Sequence, residues 1–224
     1  LVSSSAASDV YKRQTNKSMI EDTNFGGHWN RGHINGALLK YFKDKKQCKT
    51  FLDIGCGNGL NVAFANEVME YDAYGIEGDP SAHINPITKN LFKHDFENDG
   101  KFKQELPNID LGWCVSVSEH IEEKNVYDFV DVFQKCNWVV FTWCPPGYPG
   151  YHHVNCQKAP YWIDKFREIN FTFDYKLTNR LLYHFSKLVM IKTPYWRDNK
   201  LNSKKVPKAY LRKWGMIFKN DSIT

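Results

Sequence analysis

Phe51-Leu-Asp-Ile-Gly-Cys-Gly-Asn-Gly59 decides the fold. The apolar run ending in Asp53 reads as a buried strand, glycines 55, 57 and 59 as a turn, and a helix is expected to open near Leu60. Glycine takes positive φ without a Cβ penalty and lets a ligand come close to the backbone. The free N–H groups and positive dipole end of the following helix face whatever sits in the turn. That suits a carboxylate, a ribose or a phosphate. Spacing narrows the choice. A dinucleotide fold asks for G-x-G-x-x-G, and counting from Gly55 puts Leu60 where the third small residue belongs. No Gly-Lys-Ser/Thr follows, so this is not a nucleotide phosphate loop. A glycine trio also occurs in plain αβ turns, so the flanking chain has to agree.

It does. Apolar spacing predicts a first helix over 34–42, then strands at 49–53, 73–77, 90–94, 109–115, 138–142, 171–175 and 215–218. Helices are predicted over 61–70, 122–135 and 159–168, while 177–208 gives no clear assignment. Alternation of strands and helices argues for an α/β domain with a doubly wound, mostly parallel seven-stranded sheet. A chain of 224 residues fits one such domain, with no internal repeat and no interdomain linker. No run approaches the roughly 18 apolar residues that cross a bilayer, so no membrane partner is expected.

The motif Asp53-x-Gly55-x-Gly57-x-Gly59 resembles the first motif of class I S-adenosylmethionine (SAM) methyltransferases. The resemblance implies a Rossmann-like fold, SAM as cofactor, and Asp53 with the three glycines in the cofactor site. Glu77 closes the second strand, 18 residues beyond Gly59, where an acid can accept two hydrogen bonds from vicinal ribose hydroxyls. A turn acid before Gly78-Asp79-Pro80 is the alternative, and Asp79 competes for the ribose role. The resemblance places Asp95 at the adenine amino group and Phe96 against the ring. A helix cap and a core aromatic are equally open for that pair.

Asp110-Leu-Gly-Trp-Cys-Val-Ser-Val-Ser-Glu-His-Ile121 resembles the family's fourth motif. In relatives of the ubiquinone-pathway O-methyltransferases a further acid precedes the Glu-His pair and helps to hold a metal. Ser116 occupies that position, so no metal is expected. His120 is a candidate base, since imidazole titrates near neutrality, or a helix cap. After the fifth strand comes Cys144-Pro-Pro-Gly-Tyr-Pro-Gly-Tyr-His-His-Val-Asn-Cys-Gln157. Its prolines and glycines set an irregular loop, and His153 is the second candidate base. With Tyr161-Trp-Ile163 and Gly27-His-Trp29 this block resembles a group of methyltransferases common in phage and environmental genomes, over roughly 27–175. A histidine pair could bind zinc, but no third ligand lies at a recognisable spacing. Trp29 and Arg31 precede the first helix, where a segment could fold over the cofactor by cation–π and carboxylate contacts, or simply pack.

The expected activity is methyl transfer to a small-molecule or glycan acceptor, at a hydroxyl. A non-catalytic SAM-fold binding or scaffold protein is the alternative, as is a nucleic-acid methyltransferase. Nucleic acid draws support from Lys187–Lys219, with ten basic residues against one acid in a chain of net charge +5. Such a run also serves as a solvated face, and the Asn-Pro-Pro-aromatic motif of amino-methylating enzymes is absent after the fourth strand. Six cysteines lie at 48, 56, 114, 136, 144 and 156 with no C-x-x-C pair, which favours buried thiols in a reducing, cytoplasmic compartment. Ser4-Ser-Ala-Ala-Ser-Asp-Val-Tyr-Lys-Arg-Gln14 matches what a sequencing-library transposon adapter encodes in frame. Residues 1–14 therefore read as a disordered scar, and 15–224 as the domain.

Overall fold

The computed structural model of the chain describes residues 31–184, 189–192, 204–205 and 210–223. At its centre is a sheet of seven strands: β2 Thr50–Ile54, β3 Asp72–Glu77, β4 Leu91–Lys93, β5 Ile109–Cys114, β6 Cys136–Thr142, β7 Phe171–Phe173 and β10 Gly215–Asn220. Their order is β4-β3-β2-β5-β6-β10-β7. Strands β2 to β6 run parallel, and β10 lies antiparallel between β6 and β7. The sheet is doubly wound, mostly parallel and seven-stranded, as the alternation predicts. The chain steps outward from β2 through β3 to β4, then returns to the other side of β2 with β5. Strand order therefore reverses between β2 and β5, and ligands of open α/β sheets bind at the carboxyl edge of such a switch.

Both faces of the sheet are covered, which is why β2 carries an apolar run and not an alternating one. Phe51 packs in a cluster with Leu38, Phe42 and Trp113, while Leu52 and Ile54 join Phe129, Phe133 and Phe141. The first cluster is supplied by α1 Gly36–Lys46 and α2 Leu60–Glu67, the second by α3 Val126–Asp131 and α4 Ala159–Glu168. Helix α1 is capped by Asn35, whose side-chain oxygen accepts the Leu38 N–H at 3.0 Å. Phe166 of α4 stacks on Phe218 of β10 at 4.0 Å, and both pack against Phe141. That stack explains why the last strand inserts beside β6.

Three local readings need correction. The helix expected over 122–135 is α-helical only at α3, with 3-10 turns at Glu123–Asn125 and Val132–Lys135. The strand expected over 171–175 stops at Phe173, because Asp174 caps the next helix, α5 Tyr175–His184. Its Oδ1 accepts the Leu177 N–H at 2.8 Å. A second, antiparallel sheet lies outside the expected pattern; it joins β1 Arg31–Ile34, β8 Val189–Lys192 and β9 Lys204–Lys205 in the order β1-β8-β9. A short helix, α6 Tyr210–Trp214, leads into β10. The stretch 1–14, Trp29, and most of the basic run Lys187–Lys219 lie outside the described residues. No described helix is long and apolar enough to cross a membrane.

Candidate functional site

All three glycines of the turn after β2 sit at positive φ: Gly55 at 75°, Gly57 at 55° and Gly59 at 87°. Gly59 is the N-cap of α2. A Cβ on Gly55 would overlap the Val117 side chain, and one on Gly59 would come within 2.7 Å of Thr88. The turn is thus tight against the exit of β5 on one side and the approach to β4 on the other. Only glycine fits it.

Two carboxylates lie under this loop. Asp53 is 2% exposed, and its Oδ2 accepts from Asn61 Nδ2 at 2.9 Å. Burial pushes its carboxyl up to about 8, although the Asn61 hydrogen bond acts against the shift. Glu77, at the end of β3, accepts the Gly57 N–H at 2.7 Å on one oxygen and the Asp79 N–H at 2.8 Å on the other. It too is raised by burial, against the opposing pull of those two backbone hydrogen bonds. Lysine and arginine contribute to neither shift. Asn58 Oδ1 and Asn61 Oδ1 are buried without a hydrogen-bond partner. Among the described residues the loop gathers acceptors and anions, and the one opposing charge that bears on these shifts is His83, beside Glu77.

Asp79 is turned away from this loop to cap the next turn, accepting the Ser81 N–H at 2.8 Å. Asp95 does the same after β4, accepting the Glu97 N–H at 2.9 Å and the Asn98 side-chain amide at 2.6 Å. Phe96 is 6% exposed and meets Phe129 edge-on at 5.4 Å. The geometry gives Asp95 a turn and Phe96 a place in the core, the plainer of the two readings open for each.

The second half of the site is built by the exits of β5 and β6. Ser116 takes φ 60°, and its N–H donates to Thr142 Oγ1 at 2.9 Å; Ser118 Oγ donates to the Thr142 carbonyl at 3.1 Å. The Glu119 carbonyl accepts the N–H groups of Val154 and Asn155 at 2.9 and 3.1 Å. His120 Nδ1 lies 3.0 Å from the His152 carbonyl. A carbonyl only accepts, so neutral His120 carries its proton on Nδ1 and leaves Nε2 unprotonated. These bonds zip the Glu-His turn to the His-His-Val-Asn block. The His120 ring ends 5.2 Å from that of His153 and 6.5 Å from that of His152. His152, like Ser116, is a non-glycine residue at positive φ (51°), a conformation that persists only where surroundings over-determine it.

Two sets of possible metal ligands converge here. Cys144, His153 and Cys156 have ligand atoms within 4.8 Å of one another, and so do Glu119, His120 and His153. The first set lies wholly in the loop after β6, and the second combines that loop with the exit of β5. An aromatic wall stands alongside. Trp143 meets Trp214 at 4.8 Å, Tyr148 meets Trp214 at 6.5 Å, and Tyr148 stacks over His153 at 6.4 Å.

No known protein-family profile and no curated protein sequence matches the chain. Solved structures do. A structure from the conversion of a disulfide bond into a thioacetal group during echinomycin biosynthesis matches with TM-score 0.58 at 12% identity, over 95% of this chain and 92% of that one. PKMT2 from Rickettsia typhi matches with TM-score 0.53 at 10% identity, over 89% of this chain and 54% of that one. The fold is that of class I methyltransferases. Such identities establish architecture and leave the chemistry to this chain's own residues.

The residues that sequence reading misses are Asn58, Asn61, Glu119, Cys144, Cys156, Trp143 and Trp214. Asn58 and Asn61 could have been found, since polar side chains inside an otherwise apolar strand–turn–helix need a reason to be buried. The others become neighbours only through the β5–β6–β10 pairing and the folding back of the loop after β6.

Proposed function

We propose that the chain is a SAM-dependent methyltransferase acting on a hydroxyl of a small-molecule or glycan acceptor. The observation that carries the reading is the pair of buried carboxylates, Asp53 and Glu77, under a glycine loop, with no lysine or arginine among the described residues contributing to their shifts. A dinucleotide would add a pyrophosphate to this anionic corner. SAM brings a sulfonium, an ammonium, a carboxylate and a ribose diol. The loop of Gly55, Gly57 and Gly59, with the start of α2, would hold the carboxylate. Asp53 and the unpartnered oxygens of Asn58 and Asn61 would take the ammonium. Glu77 keeps lone pairs for the ribose hydroxyls beyond those used by Gly57 and Asp79. The family resemblance would put the adenine near Asp95 and Phe96, with the Asp95 turn presenting its backbone edge and Phe96 remaining in the core.

When bound, SAM supplies a methyl group activated by the positive sulfur. The chain's own work is to hold the acceptor in line, exclude water and remove a proton. His120 suits the proton transfer, because the His152 carbonyl fixes its Nδ1 proton and Nε2 is then in the form a base requires. His153 is the second candidate. The wall of Trp143, Tyr148 and Trp214 favours an acceptor with a flat or sugar-like apolar face. The cysteines among the described residues form no disulfide, and five of them are buried, which agrees with a reducing, cytoplasmic setting.

The test is a transfer screen with methyl-labelled SAM over glycans, small metabolites and nucleic acid, paired with calorimetry for SAM and NAD. Transfer to a hydroxyl of the first two classes is the expected result. Label appearing in nucleic acid alone would overturn the acceptor, and tight binding without any transfer would favour a binding or scaffold role.

A further inference from the structure

We propose that Cys144, His153 and Cys156 form a zinc site that locks the loop leaving β6, with the fourth coordination position open at the acceptor mouth. The site is absent from any sequence motif, because its ligands are separated by nine and three residues of an irregular proline–glycine loop. Geometry makes it. Cys144 Sγ and Cys156 Sγ lie 3.7 and 3.8 Å from the same nitrogen, His153 Nδ1. Tetrahedral zinc with Zn–S of about 2.3 Å and Zn–N of about 2.0–2.1 Å sets sulfur and nitrogen ligands roughly 3.6 Å apart. The two sulfur–nitrogen edges are within about 0.2 Å of that spacing, and the two sulfurs lie within 4.8 Å of one another. Without a metal these are weak thiol–imidazole hydrogen bonds, both converging on one nitrogen.

The ligands are also held. Cys144 is 1% exposed, immediately beyond β6, so its position is fixed by the sheet. The His153 ring lies so close to Gly150 that a Cβ there would overlap it, which makes a side chain at 150 incompatible with this imidazole. The Glu119 carbonyl pins the backbone on either side of the 154–155 peptide, between His153 and Cys156. Two thiolates and an imidazole are a soft donor set, which selects zinc over magnesium, calcium or manganese. Binding would release the thiol protons, and the imidazole proton that faces the Tyr148 carbonyl at 3.2 Å would pass to Nε2, leaving a neutral ring that ligates through Nδ1.

Three protein ligands leave tetrahedral zinc one position for water or an acceptor atom, the pattern of catalytic and not of closed structural sites. The His153 ring is 5.2 Å from that of His120, so this position opens beside the candidate base. Zinc lowers the pKa of an oxygen or sulfur bound to it. His153 is thereby reassigned from base to ligand, and His120 keeps the base role alone.

The experiment needs no methyl transfer, so its outcome is separable from that of the proposed activity. The untagged chain is purified without chelator, dialysed and assayed for metals by plasma mass spectrometry. About one zinc per chain is expected, falling to about a tenth or less in Cys156→Ser and in His153→Ala. Cys48→Ser, which alters a buried thiol at the far end of β2, should keep the metal. Circular dichroism on each variant separates loss of ligand from loss of fold. Cobalt-substituted protein should show a thiolate-to-metal charge-transfer band that Cys156→Ser abolishes. The proposal is overturned by zinc-free protein that takes up none from buffered zinc, or by a Cys144–Cys156 disulfide in the non-reduced mass spectrum. Zinc retained undiminished by Cys156→Ser but lost with Glu119→Gln would overturn it too, moving the metal to the Glu119–His120–His153 set.

Discussion

The two halves of the site are built by opposite means. On the β2–β3 side, backbone does the work. Three glycines at positive φ, the start of α2 and two carboxylates come from about 25 consecutive residues, a span typical of a βαβ unit. On the β5–β6 side, side chains do it, gathered from 116–120, 142–157 and 214 by strand pairing and loop hydrogen bonds. The first half is a general cradle that any sequence with the right turn can form. The second depends on side chains brought from several segments, so on the proposed reading acceptor and metal preference would be set there.

That contrast can be broken in four ways. The largest effect is expected at His120. If the β5–β6 half carries the proton transfer, His120→Ala lowers turnover by roughly 10²–10⁴ while SAM affinity stays within a factor of about two. Equal loss in both quantities would dissolve the division of labour. Next, Glu77→Ala should weaken SAM binding by about 1.5–3 kcal/mol, as for hydrogen bonds to a charged group, without changing kcat at saturation. Calorimetry showing wild-type affinity would remove the ribose role from Glu77.

Gly55 is where the halves touch, since Val117 from the β5 exit occupies the space a Cβ would need. Gly55→Ala at φ 75° should cost about 1–3 kcal/mol of stability. Adding Val117→Ala should recover the steric part and leave the backbone strain. If the double variant is no more stable than Gly55→Ala, measured by denaturant unfolding, the contact is not what couples them.

The smallest effect, taken per unit of pH, concerns titration. Asp53 is raised from 3.8 to about 8 in the folded chain. Between those values the folded state keeps a proton that the unfolded state has released. Stability therefore falls as pH rises through that window, by at most about 1.4 kcal/mol per unit, and levels off above it. Asp53→Asn should lose this component of the slope between pH 6 and 8. Saturating SAM should shrink it in the wild type, because an ammonium partner stabilises the ionised form. Identical slopes for wild type and variant would mean that Asp53 is ionised throughout.

How much of the molecule is legible in the sequence follows the same divide. Gly55, Gly57, Gly59 and the strand before them are readable because the turn depends on local φ, which residue type reports directly. Alternation gives the doubly wound class, but the order of strands and the antiparallel direction of β10 are visible only in the structure, where Phe218 packs on Phe141 and Phe166. Glu77 can be placed at a strand end, but not its grip on the Gly57 N–H, which depends on register between β2 and β3. Asp174 reads as part of a strand because its capping role shows only when Leu177 turns back on it. Cys144, Cys156 and Glu119 carry no readable pattern. Glu119 meets His153 because β5 lies beside β6, and Cys144 meets Cys156 because the loop after β6 folds back on itself, which no spacing records.

The placement of β10 between β6 and β7 has a consequence for birth on the ribosome. Strand β7 is bonded into the sheet through β10 alone, so Phe171 and Phe173 emerge long before the strand that will cover them. At translation rates of about 5–20 residues per second they wait for seconds with one edge open. The glycine-loop half, complete by β5, has every neighbour it needs by then. The nascent chain would thus own a cofactor cradle before it owns an acceptor pocket. Its vulnerable interval, when chaperones or a neighbouring nascent chain could seize the β6 edge, lasts from the emergence of β6 until β10 follows it.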